Sequence, residues 1–354
     1  WHWQLSGELT FSIPKLTAAA HVPTEYQWII FLALLAGFAI KVPLFPFHTW
    51  LPLAHVQAPA AGSILLAGVM LKIGTYGFLR FNLPLLPEAS ASFMPLLLCV
   101  SVAGIIYGAL VALVQWDMKR LIAYSSVSHL GFCMLGMFSL NRLGVQGSAL
   151  QMISHGISTG ALFAIVGMLY ERYHTREIRH LGGLAVKTPW LAFFMLLFTF
   201  SSIGLPGLNG FAGEFLVLIG TFQRSMGSPL IVVAVLAVLG VVLGAWYMLY
   251  LVQRLFFGPL QEPALENSGT TDKVRDLSWR EFGALAPLAV FVFWIGLQPS
   301  FFLKPMEATL NSLVTPAAEA REAAENRTAG TVQLSTDPLP EKTSETSQRA
   351  SGGQ

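Results

Sequence analysis

Long apolar stretches fill most of the chain between residues 26 and 303, and most have about the 20 residues that a helix needs to cross a bilayer. Alanine and glycine alternate there with larger apolar residues, without the period of two that membrane barrel strands show. The pattern predicts an all-α polytopic membrane protein with about eight transmembrane helices. The predicted crossings are residues 26–54, 60–83, 94–115, 119–140, 147–170, 189–223, 229–252 and 283–303.

Two of these crossings contain clusters of helix-breaking residues. The first has Pro43, Pro46 and Pro52, and the sixth has the glycine-rich stretch 204–214. Because proline removes a helix donor and glycine adds backbone freedom, both helices are predicted to be discontinuous. Paired interruptions are typical of transporters built from inverted repeats, and ordinary kinks are the alternative.

Charge divides the chain into three regions. Four charged side chains lie in residues 26–115, whereas twelve lie in residues 304–354. We therefore expect an N-terminal extramembrane lead over residues 1–25, a transmembrane domain over residues 26–303 and a disordered polar tail over residues 304–354. Because the first residue is not methionine, we expect the native start to lie upstream.

The overall composition excludes two classes of protein. Charged residues make up 11% of the chain, less than half of the roughly 25% that a soluble domain carries. A net charge of +2 provides no excess of cations for nucleic-acid phosphates, so no nucleic-acid partner is expected. Cys99 and Cys133 lie in apolar runs and show no metal-ligand spacing.

Basic residues are distributed unevenly between the predicted loops. Ten lie in the loops after the third, fifth and seventh crossings, and three lie in the opposite loops. The positive-inside rule then assigns the first set to the cytoplasm and predicts a multi-pass protein of the bacterial plasma membrane. The ten are Lys119, Arg120, Arg172, Arg176, Arg179, Lys187, Arg254, Lys273, Arg275 and Arg280.

Lys72 is the clearest candidate for chemistry, since it lies near the middle of the second crossing. A lysine at the centre of a bilayer costs about 2.5–3.5 kcal/mol on insertion scales. We expect it to face water or a partner and to exchange a proton, because burial disfavours the charged ammonium. The alternative is a structural lysine paired with a helix carbonyl.

Two further candidates accompany the predicted helix breaks. Lys41 lies at the first break, where unpaired carbonyls can stabilise an ammonium. Glu214 follows the second break and is the only acid inside any of the apolar runs. The alternatives are an interfacial lysine that marks a shorter span and a carboxylate that caps the second half-helix.

Two histidines lie at mid-depth in consecutive crossings. His129 is in the fourth crossing and His155 is in the fifth, and serine or threonine flanks both. Because histidine titrates near neutral pH and has two ring nitrogens, the pair favours a proton relay. A single buried histidine is more often a packing residue, which is the alternative for each.

Six stretches of the sequence resemble the antiporter-like proton-pumping subunits of bacterial NADH-quinone oxidoreductase, respiratory complex I. They cover motifs highly specific to that superfamily, and the resemblance extends over residues 26–303. Within the family, Glu214, where several relatives carry lysine, and the loop 169–176 favour the M type. The stretches are FHTWLP (47–52), APAAGS (58–63), LKIGTYG (71–77), DMKRLIAYSSVSHLGF (117–132), QMISHG (151–156) and GLPGLNGFAGEF (204–215).

The resemblance implies a fold and a role for each candidate. The family has fourteen helices with two inverted five-helix repeats, each containing one discontinuous helix. Lys41 would pair with a glutamate on an earlier helix, and Lys72 would be the central proton carrier. His129 and His155 would belong to the connecting hydrophilic axis, and Glu214 would serve the exit half-channel. The reaction is proton translocation driven by NADH oxidation and quinone reduction.

The resemblance also implies where the redox chemistry lies. No cofactor is expected in this chain, because flavin, iron–sulfur clusters and quinone belong to partner subunits. The expected partners are the other membrane-arm subunits, the lipid bilayer and protons. The chain would thus be a subunit of a translocase without a redox centre of its own.

Two departures from the family pattern matter. The family has about six more helices before the first crossing, and the glutamate partner of Lys41 lies there. Glu8 and Glu25 do not match it, so we expect this chain to be a partial sequence. In addition, Leu53 replaces the aspartate of the family's Trp-Leu-Pro-Asp-Ala-His pattern.

Other functions compete with this one. The same motifs fit a subunit of a multisubunit Na⁺/H⁺ antiporter or of a membrane-bound hydrogenase. A scaffold that fills a membrane arm without pumping is a further alternative.

Overall fold

The computed structural model describes Trp3 and residues 7–19, 22–263 and 274–336. The described residues form helices joined by short loops, with only isolated bridges of β type. The helices are α1 (Ile13–Ala19), α2 (Thr24–Lys41), α3 (Trp50–Gln57), α4 (Ala60–Leu85), α5 (Pro87–Leu113), α6 (Met118–Phe138), α7 (Arg142–Tyr173), α8 (Pro189–Ser202), α9 (Asn209–Ser225), α10 (Ile231–Phe256), α11 (Trp279–Leu297) and α12 (Pro299–Thr336).

The predicted all-α membrane fold is confirmed. In the described part of the chain, seven helices are long and apolar enough to cross a membrane: α2, α4, α5, α6, α7, α10 and α11. They correspond to seven of the eight predicted crossings. The predicted sixth crossing, 189–223, is divided as expected into two half-helices, α8 with 14 residues and α9 with 17 residues.

Helices α6 and α7 occupy the centre of the bundle. Nearly all of α6 is buried between α5, α7 and α9, whereas α2 and α11 lie at the edges with many apolar side chains exposed. Exposed apolar surface of this extent suits contact with lipid tails. Glycines allow close contacts in the centre: a Cβ at Gly213 of α9 would lie 2.5 Å from Oε1 of Gln151 on α7. This close approach brings the residues beside Gly213 against α7.

The predicted disordered tail is wrong for the part that the structure describes. Helix α12 continues to Thr336, and it packs against α5, α7 and the end of α4. Its buried side chains recur every three or four residues, so one face of the helix is apolar even though the segment as a whole is polar. Residues 337–354 of the predicted tail lie outside the described residues. The buried side chains are Leu310, Leu313, Val314 and Ala317.

Ion pairs at the side of the bundle opposite the basic loops attach α12 to its neighbours. Arg142, at the start of α7, pairs with Glu307, and Arg224, in the last turn of α9, pairs with Glu325 at 2.5 Å. The chain thus ends its described part in a helix that is fixed to two of the helices that carry candidate residues. Several residues of the predicted lead over 1–25 lie outside the described part, and the rest includes α1.

Candidate proton-carrying site

The predicted break in the sixth crossing is present between α8 and α9. Residues 203–208 connect the two half-helices, and Gly204 and Gly207 have φ angles of 74° and 91°. Only glycine adopts such angles without strain, so the glycines explain why the chain turns here. A Cβ at Gly210 would lie 2.0 Å from the Ser201 carbonyl oxygen, so the ends of the half-helices are in direct contact.

Polar side chains hold this break against α7. The side chain of Asn209 donates to the Ser154 carbonyl at 3.2 Å, and the Ser154 hydroxyl donates to the Asn209 carbonyl at 3.0 Å. Ser158 shares a 2.5 Å hydrogen bond with Ser201, which also donates to the Asn209 side chain. The freed backbone groups of a broken membrane helix need such partners.

Glu214 lies in the second turn of α9 and is buried. One of its oxygens, Oε1, accepts hydrogen bonds from Gln151 Nε2 and from His129 Nδ1, each at 2.9 Å. The sequence left open whether Glu214 caps the half-helix. In the structure its carboxylate contacts side chains on α6 and α7 instead, so it belongs to a polar cluster between helices.

His129 connects this carboxylate to the other side of the break. Its Nε2 lies 3.1 Å from the Ser202 hydroxyl and 3.5 Å from the Tyr247 hydroxyl. The ring therefore joins side chains on α8, α9 and α10 while standing on α6. A histidine with partners at both nitrogens can accept a proton on one side and release it on the other.

Lys72 lies two residues after a short π-helical segment, Leu66–Met70, in α4. Its ammonium donates to the Ala67 carbonyl and shares a 2.6 Å hydrogen bond with Nδ1 of His155. The lysine therefore has both the helix carbonyl that the structural alternative expects and a titratable partner, and its role as a proton carrier stays a prediction. π-Helical turns are frequent at functional sites, where they alter which carbonyls are available.

The rings of His129 and His155 lie next to each other between these contacts, with their planes tilted by 55°. Their centroids are 5.6 Å apart, and Nε2 of His155 is buried with no hydrogen-bond partner among the described residues. A cavity of about 10 Å³ lies beside them, lined by polar groups that include Gln151, Ser158 and Ser202. Its volume and lining suit a single water molecule.

Four of the five candidates thus form one row. Lys72, His155, His129 and Glu214 follow each other from α4 through α7 and α6 to α9, which we call the buried row. His155, His129 and Glu214 are buried inside the bundle, and Lys72 at the end of the row is partly buried.

Lys41 is not joined to the buried row by a hydrogen bond. It ends α2 at the first break and is partly exposed, and its Cβ packs beside Gly74 on α4. Among the described residues, no hydrogen-bond acceptor or carboxylate contacts its ammonium. The predicted break of the first crossing is present, since residues 42–49 separate α2 from α3. The predicted role of Lys41 stays a prediction.

Sequence reasoning missed several polar residues near the first break. His48 and His55 are buried, and neither ring nitrogen of either one has a partner among the described residues. His55 stacks on Phe163 with ring centroids 4.3 Å apart. Lys119 is also buried and donates to the Ala58 carbonyl at 2.7 Å. The sequence signal that could have identified His48 and His55 is their spacing of seven residues in the segment around the first helix break.

Lys72 also borders a larger cavity of about 770 Å³ between α4, α7 and α12. The lining is almost wholly apolar apart from Lys72, Tyr76, Arg80 and Thr309. The tail helix α12 therefore forms one wall of the space next to the central lysine.

Two interrupted membrane helices, each beside a titratable side chain, place the molecule in the class of antiporter-like membrane proteins. The family model described as NADH:quinone oxidoreductase/Mrp antiporter, TM matches residues 1–243. The chain belongs to this family, which confirms the resemblance drawn from its motifs.

Curated relatives carry narrower names. The chain is 46% identical over 308 residues to NADH-quinone oxidoreductase subunit M of Rickettsia bellii, covering 87% of this chain and 58% of the relative. It is 46% identical over 288 residues to NADH-ubiquinone oxidoreductase chain 4 of Marchantia polymorpha, covering 81% and 56%. These names agree with the predicted M type. The chain spans less than two thirds of the length of these relatives.

Solved structures have the same fold. A chain of respiratory complex I from Thermus thermophilus matches with a TM-score of 0.78 and 36% identity, covering 89% of this chain and 64% of that one. A chain of the Mrp complex from Dietzia sp. DQ12-45-1b matches with a TM-score of 0.76 over 90% and 65% of the two chains. At 22% identity, the second likeness concerns the fold alone.

Proposed function

We propose that the chain belongs to a proton-translocating membrane-arm subunit of an NADH-quinone oxidoreductase in a bacterial plasma membrane. The observation that carries the proposal is the buried row, in which Lys72, His155, His129 and Glu214 follow each other inside the bundle. Intramembrane ionisable groups of this kind mark ion pathways by default.

The chemistry of the row suits protons. Lys72 and His155 share one hydrogen bond, and Glu214 and His129 share another, so each pair can hold a proton between its members. The cavity beside the histidines has the size of one water molecule, which would connect the pairs. Protons can move along such a chain without the movement of whole domains.

Electrostatics supplies the coupling between sites. Charges a few ångströms apart interact strongly in a low-dielectric interior, so protonation of one member changes the proton affinity of the next. In this mechanism a change of charge at Lys41 acts on Lys72, and Lys72 acts on the row towards Glu214. The electrons travel elsewhere, since flavin, iron–sulfur clusters and quinone are assigned to partner subunits.

The main rival is a subunit of a multisubunit Na⁺/H⁺ antiporter, because the Mrp chain shares the fold. Higher identity to proteins named NADH-quinone oxidoreductase subunit M, at 46% against 22%, favours the oxidoreductase. Neighbouring genes distinguish the two: quinone oxidoreductase subunits support our proposal, and small antiporter subunits support the rival.

The first prediction concerns Lys72→Ala in the complete complex. We expect the complex to assemble and the number of protons translocated per NADH to fall, because the variant removes one end of the buried row. The measurement is NADH-driven acidification of proteoliposomes, read with a pH-sensitive dye. Lys304→Ala is the control, since Lys304 is exposed and outside the row. Undiminished pumping by an assembled Lys72→Ala complex would remove Lys72 from the pathway.

A further inference from the structure

A third cavity lies far from the buried row, at the end of the bundle that carries most of the basic residues. Its volume is about 450 Å³, and it lies between the last turns of α10 and the segment that follows α7. We call it the arginine cavity. The residues that the argument uses are Arg179, Tyr250, Arg254, Phe257 and Gln261, all in its lining.

The walls of the arginine cavity are fixed by backbone hydrogen bonds. Gly182 and Gln261 form an antiparallel bridge in which each backbone N–H donates to the other's carbonyl, at 3.0 and 2.9 Å. The Gln261 side chain donates to the Arg179 carbonyl at 3.0 Å, and Ile178 N–H donates to the Trp116 carbonyl at 2.9 Å. The loop that carries Arg179 is thereby attached to both neighbouring helix ends.

Two arginines at the cavity are held by aromatic rings. The guanidinium carbon of Arg179 lies 3.7 Å from the ring centroid of Trp116, and that of Arg254 lies 5.7 Å from the same ring. Arg254 also lies 4.7 Å from the ring of Tyr250. Cation–π contacts of this kind fix the position of a guanidinium and leave its N–H groups available to an acceptor.

Neighbouring cations at the same end of the bundle differ, because they have carboxylate partners. Arg172 pairs with Glu281 at 2.7 Å, and Lys187 pairs with Glu262 at 2.5 Å. Among the described residues, Arg179 and Arg254 have no carboxylate partner, and the described lining of the cavity contains no acid. The cavity therefore concentrates positive charge that is not neutralised by the described part of the chain.

We propose that the arginine cavity binds the phosphate of an anionic phospholipid. Guanidinium groups match phosphate geometry bidentately, and basic pockets between membrane helices on the cytoplasmic side suit anionic headgroups. The positive-inside rule assigns this end to the cytoplasmic leaflet. The volume falls within the range of small-molecule pockets, roughly 300–1,000 Å³.

Apolar surface beside the arginines favours a lipid over free phosphate. Phe257 and Leu260 are 49% and 45% exposed at the rim, and Trp116 and Tyr250 stand at the level where interfacial aromatic residues are enriched. A free phosphate ion would make no use of this surface, whereas acyl chains would cover it.

The experiment measures lipid binding to the purified, delipidated protein in a neutral detergent by native mass spectrometry. The probes are phosphatidylglycerol, phosphatidylcholine and inorganic phosphate. We expect phosphatidylglycerol to bind at least about tenfold more tightly than phosphatidylcholine, and the double variant R179Q/R254Q to lose that preference. R280Q, which removes one charge at the same end but outside the cavity, should keep it.

A second double variant distinguishes the loss of the binding site from a general loss of the folded structure. R179K/R254K retains both charges, so it should bind phosphatidylglycerol more tightly than R179Q/R254Q, though less tightly than the unmodified chain because lysine lacks the fork of N–H donors. Equal binding of both lipids to the unmodified chain would overturn the proposal. So would unchanged lipid preference in R179Q/R254Q, or displacement of phosphatidylglycerol by inorganic phosphate at similar concentration.

Discussion

The two interrupted crossings of this molecule both contain a helix break, but they differ in the polar partners of the titratable side chain beside the break. At the second break, Glu214 is buried and accepts hydrogen bonds from His129 and Gln151, and Asn209 ties the half-helices to α7. At the first break, Lys41 is partly exposed, and no described residue accepts a hydrogen bond from its ammonium.

The difference shows that a broken helix alone does not assemble a buried polar cluster. The second break has one because α6 and α7 provide hydrogen-bond partners for Glu214 and Asn209, and both of these helices lie within the described chain. For the first break, the family resemblance implies a glutamate on an earlier helix. The relatives are longer than this chain, and the partner of Lys41 stays a prediction.

Loss of the acid at the second break should have the largest effect on stability. Glu214→Ala removes the acceptor shared by His129 and Gln151, so two buried donors lose their partner. We expect the free energy of unfolding to fall by about 3 kcal/mol, measured by thermal denaturation in detergent. Glu319→Ala, at an exposed acid on α12, should change it by less than about 0.5 kcal/mol. Equal stability of the two variants would contradict the assigned contacts.

A smaller loss of stability is expected from adding a methyl group where the two half-helices meet at the second break. Gly210→Ala would place a Cβ 2.0 Å from the Ser201 carbonyl oxygen, so the half-helices must move apart. We expect a loss of about 2 kcal/mol in the same assay. Gly37→Ala provides the matched control in α2, before the first break, because nothing lies within 4 Å of a Cβ there. That variant should be neutral or more stable, since alanine is the better helix former.

The smallest effect is expected at the first break itself. Lys41→Met should change the free energy of unfolding by less than about 0.5 kcal/mol, because the described chain gives the ammonium no partner to lose. Lys119→Met should cost more, since that buried ammonium donates to the Ala58 carbonyl. A large loss in Lys41→Met would indicate an interaction that the described residues do not contain.

The sequence predicted the crossings well, because apolar length and helix-breaking residues act locally. It failed for α12, where alanine and glutamate suggested a disordered tail while Leu310, Leu313 and Ala317 kept a helical spacing that packs against the bundle. The amino-acid composition describes all faces of a helix together, whereas burial requires only that one face be apolar.

The site divides in the same way. Each of Lys72, His155, His129 and Glu214 could be selected as a candidate by itself, because a titratable side chain inside an apolar run is recognisable from the neighbouring sequence alone. Periodicity alone gives no reason for Lys72 to meet His155, which lies 83 residues away. His48, His55 and Gln151 were missed since their significance comes from burial and from neighbours on other helices.

The two imidazole rings of the buried row, whose planes are tilted by 55°, have a consequence for how the row could hold charge. Because His155 and His129 are not hydrogen-bonded to each other, the row consists of two hydrogen-bonded pairs with a gap between them. Under the proposed function, the charge of a proton held by one pair would act on the other pair across this gap before the proton itself moved. The proposed pathway would then stay interrupted until one water molecule, or the rotation of one imidazole ring, joined the two pairs.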